Sequence, residues 1–501
     1  MVGRVIGLMT YKSVKTNLIL NMILTASAFI FPLITYPYVT RVLQPSGNGK
    51  IVFANSIITY LGIISSLGIP TYGIRVCAQV RDDKELLSKT VQELWMINMV
   101  MTILSYIVLA FLIFMIPKIK EEKILIIVCS MALFFNLIGM EWLYKSLELY
   151  SYITVRSIVF KVIAVMLMFI FVRNKADYIW YAAIIVIANT GYGIWNALNL
   201  KKYICWKRYT NYDIKKHLKP IVIFGAMTVA VTIYSNMDIT MLGFIKDNVE
   251  VGYYDVAIKI KVILVNVVTA LGAVLLPRAS YYVKMNMEKE FWQTTSKALE
   301  FITVLSMPLI IGFIIMAKPC IMLIAGMEYI PSIQPMQIIM PVLFLIGASN
   351  VFGIQILVPL GRENIVLYSE IAGAMVNLGF NVILIPRYGA SGAAFGTVMA
   401  EITVLLVQMF VLRNHAIEMM KKVQWKKILV ALLVSSICLM YLNTKLNTEF
   451  NTFVIMRFIV LFSIYGIIYG LLLLLLKEDV VVEIFASIRE RVGIWCDKDN
   501  K

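Results

Sequence analysis

Charged side chains inside apolar runs are the residues of this chain with the most obvious chemistry to do. Lys161 lies one turn into the apolar run 157–174, and Lys259 and Lys261 interrupt the run 254–276. A cation deep in a membrane-spanning helix costs about 2.5–3.5 kcal/mol, so it marks a polar path or a paired site. Asp255, Lys259 and Asn266 are spaced i, i+4, i+11, which stacks them on one helical face, while Lys261 points elsewhere and suits snorkelling. Two readings of Lys259 stand side by side: a cation lining a path, and an intrahelical pair neutralised by Asp255. Lys161 is read as a path cation, against a bridge to Glu141 or snorkelling. Arg75 and Arg278 end the second and eighth apolar runs and suit an arriving anion, or simple anchoring of helix ends. Arg41 and Asp238 end the first and seventh runs with opposite charge, as a gate pair would, or as caps. Glu141, Asp238, Asp255 and Glu401 are the acids in or beside apolar runs. Any of them that titrates would couple the protein to a proton or sodium gradient, and the sequence does not choose among them.

Other chemistries are excluded. Cys77, Cys129, Cys205, Cys320, Cys438 and Cys496 form no CxxC pair, so no metal site or disulfide framework is readable. His217 and His415 fall in polar connecting segments, which excludes a histidine relay inside a membrane. The stretch Gly47–Lys50 lacks the first glycine (Gln44) and the Ser/Thr (Ile51) of a phosphate-binding loop. No cofactor is implied. The expectation is a protein that is not an enzyme.

The elements that must position these residues follow from composition. The 501 residues are 60% hydrophobic and 15% charged, with a mean hydropathy of +0.83. A soluble domain carries about 25% charged residues, so membrane is the solvent. The net charge of +17 sits in short segments between apolar runs, not on one face of a domain, which argues against nucleic acid. About fourteen runs reach spanning length: 18–40, 51–74, 94–116, 124–144, 157–174, 178–200, 220–244, 254–276, 299–324, 338–360, 365–386, 391–412, 427–444 and 453–476. The first follows Arg4, Lys12 and Lys15, exceeds a signal-peptide core and reads as a spanning helix.

With both ends cytoplasmic, most of the 46 Lys and Arg fall in inner connections, seven of them between Lys201 and Lys219. The longest outer connection, 325–337, has no room for a catalytic domain, which argues against a membrane polymerase. Residues 480–495 read as an interfacial amphipathic helix.

A weak repeat divides the chain. Arg41–Leu43 leads through Gly49 to GKIVFA, and Met241–Gly243 leads through Gly252 to GYYDVA; FVRNKA (171–176) and IPRYGA (385–390) precede the sixth and twelfth runs. The expected plan is all-α and polytopic. It has a cytoplasmic segment 1–16, a six-helix bundle 17–200, a basic linker 201–219, a pseudo-symmetric six-helix bundle 220–413, two further helices within 427–477 and a cytoplasmic tail 478–501. Such repeats place a substrate path between them. Asn21, Thr25, Pro32 and Thr35 share one face of the first helix, and Asn55, Thr59, Gly62 and Ser66 one face of the second; these stripes suit a wet interior or helix–helix glue. Gly392, Gly396 and Ala400 suit close helix packing.

LITYPYVTRVLQPSGNGKIVFANS (33–56), LGIPTYGIR (67–75), MEWLYKSLELYSYITVRSIVFK (140–161), MDITMLGFIKDNVEVGYYDVAIKI (237–260), ILVPLGRE (356–363) and LIPRYGASGAAFGTVMAE (384–401) resemble, in this order, the Wzx-type polysaccharide flippases of the multidrug/oligosaccharidyl-lipid/polysaccharide exporter superfamily. The resemblance runs from the first helix to the twelfth. It implies a V-shaped, alternating-access fold in a bacterial inner membrane. It also implies translocation of undecaprenyl-diphosphate-linked oligosaccharide units of O-antigen or capsule type, with a polysaccharide polymerase and chain-length machinery as partners and membrane lipid around it. Arg41, Arg75, Lys161, Lys259 and Arg278 are then the candidates for the anionic substrate, and Asp238, Glu141 and Asp255 for gating or ion coupling. One departure is Gln44, where the family usually has glycine. The alternatives are a drug exporter of the same superfamily, which would want an acidic cavity, and a membrane polymerase.

Overall fold

The computed structural model describes residues 14–445 and 454–486. All of the regular structure among them is helical. The expected segment 1–16 therefore lies mostly outside the described residues, as does the tail beyond 486, where only 479–486 is seen as helix.

Each of the fourteen apolar runs is helical over most of its length. Seven helices are long and apolar enough to cross a membrane, or up to nine if each of two bent pairs is one span, among the described residues. Two of these cannot be single spans. A straight 53-residue helix such as Val14–Ser66 would be about 80 Å long, against about 30 Å of hydrocarbon. It folds back at Gln44, whose φ of 58° and ψ of 177° break the helix before Pro45. Glu363–Leu412 does the same at Gly389, with φ 52°. Gln44 makes this turn in a left-handed conformation that side chains disfavour.

Two compact units divide at Gly252 and Tyr253. The helix Lys215–Ile245, which holds the seventh run, packs inside the first unit. Its approach is close. A Cβ on Gly68 would collide with the Ile221 carbonyl, and one on Gly243 with the ring of Phe53. The turns that the repeat pairs also meet here, since a Cβ on Gly49 would strike the Asn248 carbonyl and one on Gly252 the Pro45 carbonyl.

Three expectations change in detail. The linker is helical from Lys215, and His217 is fully buried rather than lying in an open connection. Run 299–324 is the helix Glu288–Ile315, broken at Met316 and continued by Ala317–Ile324. The connection 325–337, expected on the outer side, is mostly helical, with Tyr329 and Ser332 buried, because Gly326 (φ 94°) turns the chain back onto its own unit.

In the second unit, Leu299, Ile302, Val351, Phe352 and Ile356 anchor the core. The hairpin at Gly389 owes its closeness to small residues: a Cβ on Gly392 would sit 2.6 Å from the Leu384 carbonyl, and one on Gly373 3.2 Å from the Ala400 carbonyl. Gly392, Gly396 and Ala400 are packing residues, as their spacing suggested. Trp425–Lys445 and Val454–Leu475 pair with one another, and Arg457 donates to the Asn443 backbone at 2.6 Å and to its side chain at 2.9 Å.

Candidate functional site

The first unit contains a cavity of about 400 Å³. Its wall comes from the end of the Val14–Ser66 helix (Gly62, Ser65, Ser66), the helix Ile69–Gln79 (Pro70, Thr71), Asn98 of Lys84–Met115, and the segment Leu133–Lys145. Met140, at φ 38°, ends Lys123–Gly139 and starts the short helix Glu141–Ser146, and this turn delivers Glu141, Trp142 and Lys145 to the wall. The Trp142 ring lies on Gly73, where a Cβ would come within 2.9 Å of it.

Behind the cavity stands a buried ionic cluster. Arg156 is 2% exposed, on the helix Tyr150–Phe171, and its guanidinium lies 3.7 Å from the Glu141 carboxylate. None of its nitrogens has a hydrogen-bond partner among the described residues. Instead it stands 4.0 Å from the Tyr192 ring centroid, 5.6 Å from that of Tyr152 and 5.9 Å from that of Tyr144. Three tyrosine faces replace water as the partner of a desolvated cation. Tyr192 donates its hydroxyl to Glu141, and Lys145 approaches the other carboxylate oxygen at 2.9 Å. One carboxylate thus serves two cations and a phenol.

The sequence candidates fall as follows. Glu141 joins this cluster. Lys161, on the Arg156 helix, donates to Ser27 Oγ at 2.9 Å, so it is not the bridge to Glu141 that the sequence left open. Arg41 is exposed and donates to the Pro37 carbonyl of its own helix at 2.6 Å, while Asp238 is buried in Lys215–Ile245. Arg75 is exposed on Ile69–Gln79. In the second unit, Arg278 is exposed and donates to the Tyr282 hydroxyl at 2.8 Å. Lys259 and Asn266 share an exposed face, but Asp255 is buried and does not belong to that face. Helical angle alone could not show this, because the cover is non-local: the turn carrying Tyr329 lies over the start of this helix, with the Tyr253 and Tyr329 ring centroids 6.3 Å apart.

Arg156 is the residue that sequence reasoning missed. It stands one position before the start of the fifth run, 157–174, and so is not among the charges inside apolar runs. The signal was there in Tyr144, Tyr150 and Tyr152 just upstream, with Tyr152 one helical turn before the arginine.

A second buried network holds the linker. His217 and Glu93 are fully buried, with Nε2 and Oε2 2.9 Å apart, and His217 Nδ1 lies 2.8 Å from the Tyr72 hydroxyl. The carboxylate only accepts, so Nε2 carries the proton and Nδ1 accepts from Tyr72. Glu93 also accepts the Asp213 backbone N–H at 2.8 Å and faces Lys216 at 3.1 Å. Burial holds the His217 imidazole below its usual range, against the pull of Glu93.

A family of polysaccharide biosynthesis proteins matches residues 14–283. The chain belongs to that family. A protein of Escherichia coli (strain K12) named for O-antigen transport is 25% identical over 410 residues, which are 80% of this chain and 97% of that one. Among solved structures, the lipid II flippase MurJ in an inward closed conformation superposes with a TM-score of 0.69 at 14% identity, over 92% of this chain and all of that one. A multidrug resistance MATE family transporter in an inward-facing conformation gives 0.56 at 12% identity, over 78% of this chain and 96% of that one. The chain is thus a multi-pass membrane protein with the fold of these two transporters.

Proposed function

We propose that this protein is a flippase for lipid-linked oligosaccharide units, moving them from the cytoplasmic to the outer leaflet of a bacterial inner membrane for assembly into surface polysaccharide. One observation carries the reading above the others: a protein named for O-antigen transport matches 80% of this chain over 97% of its own length. The likeness in fold to a lipid II flippase supports it, since that protein too is named for a lipid-linked substrate. The chemistry agrees. A diphosphate and a glycan can enter hydrocarbon only where polar groups replace water. The first unit supplies a polar cavity walled by serine, threonine, asparagine and a Glu–Lys pair inside otherwise apolar helices.

The finer assignments belong to the same proposal. The carrier is undecaprenyl diphosphate. Both termini are cytoplasmic, as the basic linker 201–219 favours. Lys161, Lys259, Arg41, Arg75 and Arg278 attract the diphosphate, and Asp238, Glu141 or Asp255 links transport to a proton or sodium gradient. The released units feed a polysaccharide polymerase and its chain-length machinery. A drug exporter is the weaker reading, because Lys161 and Lys259 put cations within spanning helices, where a cationic drug would want acids.

The test is genetic. Removing the gene should abolish the surface polysaccharide and leave lipid-linked units inaccessible to glycan-binding lectin added outside intact cells, while right-side-out exposure returns with the gene. Normal exposure without the gene would end the proposal.

A further inference from the structure

The second unit holds an open cavity of about 710 Å³ with two kinds of wall. Met409, Ile417 and Trp425 contribute an apolar side. Lys421, Lys422, Lys426 and Lys427 contribute a cationic one, and among the described residues no acid lines it. The cavity sits where the helix Asn414–Lys422 gives way to Trp425–Lys445.

The four lysines are not equivalent. Lys422 is paired with Glu418 at 3.0 Å, and Lys427 donates to the Lys477 carbonyl at 2.7 Å. Lys421 and Lys426 are exposed and have no ion pair among the described residues. Like charges gathered this closely repel, and an anion among them relieves the repulsion. The first turn of Trp425–Lys445 favours an anion as well. Trp425 gives its indole N–H to the Met420 carbonyl at 2.8 Å, so what it offers the cavity is apolar ring surface.

Apolar surface continues away from the cations along two helices. Lys426, Leu429 and Leu433 are spaced i, i+3, i+7 on one face of Trp425–Lys445, and both leucines are exposed. Leu406 and Phe410, one turn apart near the end of Glu363–Leu412, are exposed too. In a membrane protein such faces meet lipid chains. A free phosphate would use the lysines and leave the apolar wall uncovered. A zwitterionic head would bring an ammonium to a wall that has no acid for it. A single prenyl chain would cover one of the two apolar faces and leave the other.

We infer that this cavity is a binding site for a two-chain anionic phospholipid, its phosphate at Lys421 and Lys426 and its acyl chains along the Leu429–Leu433 and Leu406–Phe410 faces. Basic pockets between spanning helices take such headgroups. The occupant is a lipid of the surrounding bilayer, not the transported unit.

The experiment uses the full chain in a neutral detergent, titrated with dioleoyl phosphatidylglycerol and read by native mass spectrometry and by melting temperature. Phosphatidylglycerol should bind saturably and raise the melting temperature, as a ligand of the folded state does. Dioleoyl phosphatidylcholine should do neither, and farnesyl diphosphate and inorganic diphosphate should not displace the bound lipid. Lys421→Gln with Lys426→Gln should weaken phosphatidylglycerol about thirtyfold, about fivefold for each lysine, at an unchanged lipid-free melting temperature. Ile417→Asp, which sets a carboxylate among the lysines from an exposed position, should weaken it too and guards against a folding defect in the lysine variant. Lys201→Gln with Lys202→Gln, exposed in the first unit, should bind it as the wild type does. The inference is overturned if phosphatidylcholine binds equally, if either diphosphate displaces the lipid, if binding survives the substitutions at 417, 421 and 426, or if the substitutions at 201 and 202 weaken it as much.

Discussion

The Arg156 guanidinium lies 3.7 Å from the Glu141 carboxylate in a site where it has no hydrogen bond of its own. Its stability depends on that carboxylate and on three tyrosine faces. Glu141→Gln should therefore destabilise the protein by about 3 kcal/mol, because a buried cation loses its counter-charge. Adding Arg156→Met should recover most of this, since removing both charges leaves no orphan. Thermal unfolding in detergent measures it, and a double variant no better than Glu141→Gln would refute the pairing.

Gln44 gives a second prediction. Its φ of 58° belongs to glycine, and non-glycine residues in such regions cost about 1–3 kcal/mol. Gln44→Gly should raise the melting temperature, and Gln44→Val, branched at Cβ, should lower it. The opposite order would mean that the glutamine side chain stabilises this turn more than its backbone strains it.

His217 predicts a pH dependence. Burial lowers its pKa from the ordinary 6.5, so the neutral form is favoured in the folded state. A depressed folded pKa gives stability that is complete above the unfolded value and is lost as pH falls below it. The melting temperature should drop between pH 7.5 and pH 5.5, and drop less in His217→Gln. Equal losses in both proteins would remove His217 from the account.

Lys161 donates to Ser27 from within a spanning helix, in a contact that a neutral donor could replace. Its charge is therefore more than that contact requires. Lys161→Ala should lower glycan export severalfold with normal protein in the membrane, and Lys161→Arg should keep part of it, because charge survives while shape does not. Export unchanged in Lys161→Ala would restrict this lysine to helix packing.

Hydrophobic length and charge placement made the helices legible, and small-residue spacing made the close packing at Gly392, Gly396 and Ala400 legible, because both are local properties of the chain. What the sequence hid depends on distant covers. Asp255 is buried under a turn more than seventy residues later, His217 is buried by helix Lys84–Met115, and Arg156 is caged by Tyr192 from another helix. The close approach of Lys215–Ile245 was hidden for the same reason: glycines such as Gly68 and Gly243, whose missing side chains make room, face partners far away in sequence.

The central claim is translocation, and reconstitution tests it most directly. The purified chain is placed in liposomes with fluorescent undecaprenyl-diphosphate-linked oligosaccharide, and the fraction reachable by an impermeant quencher or a glycosidase outside is followed over time. The account predicts that this fraction changes in minutes with the wild-type protein, more slowly with Lys161→Ala, and not in protein-free liposomes. Translocation no faster than in protein-free liposomes, under an imposed proton or sodium gradient of either direction, would contradict it.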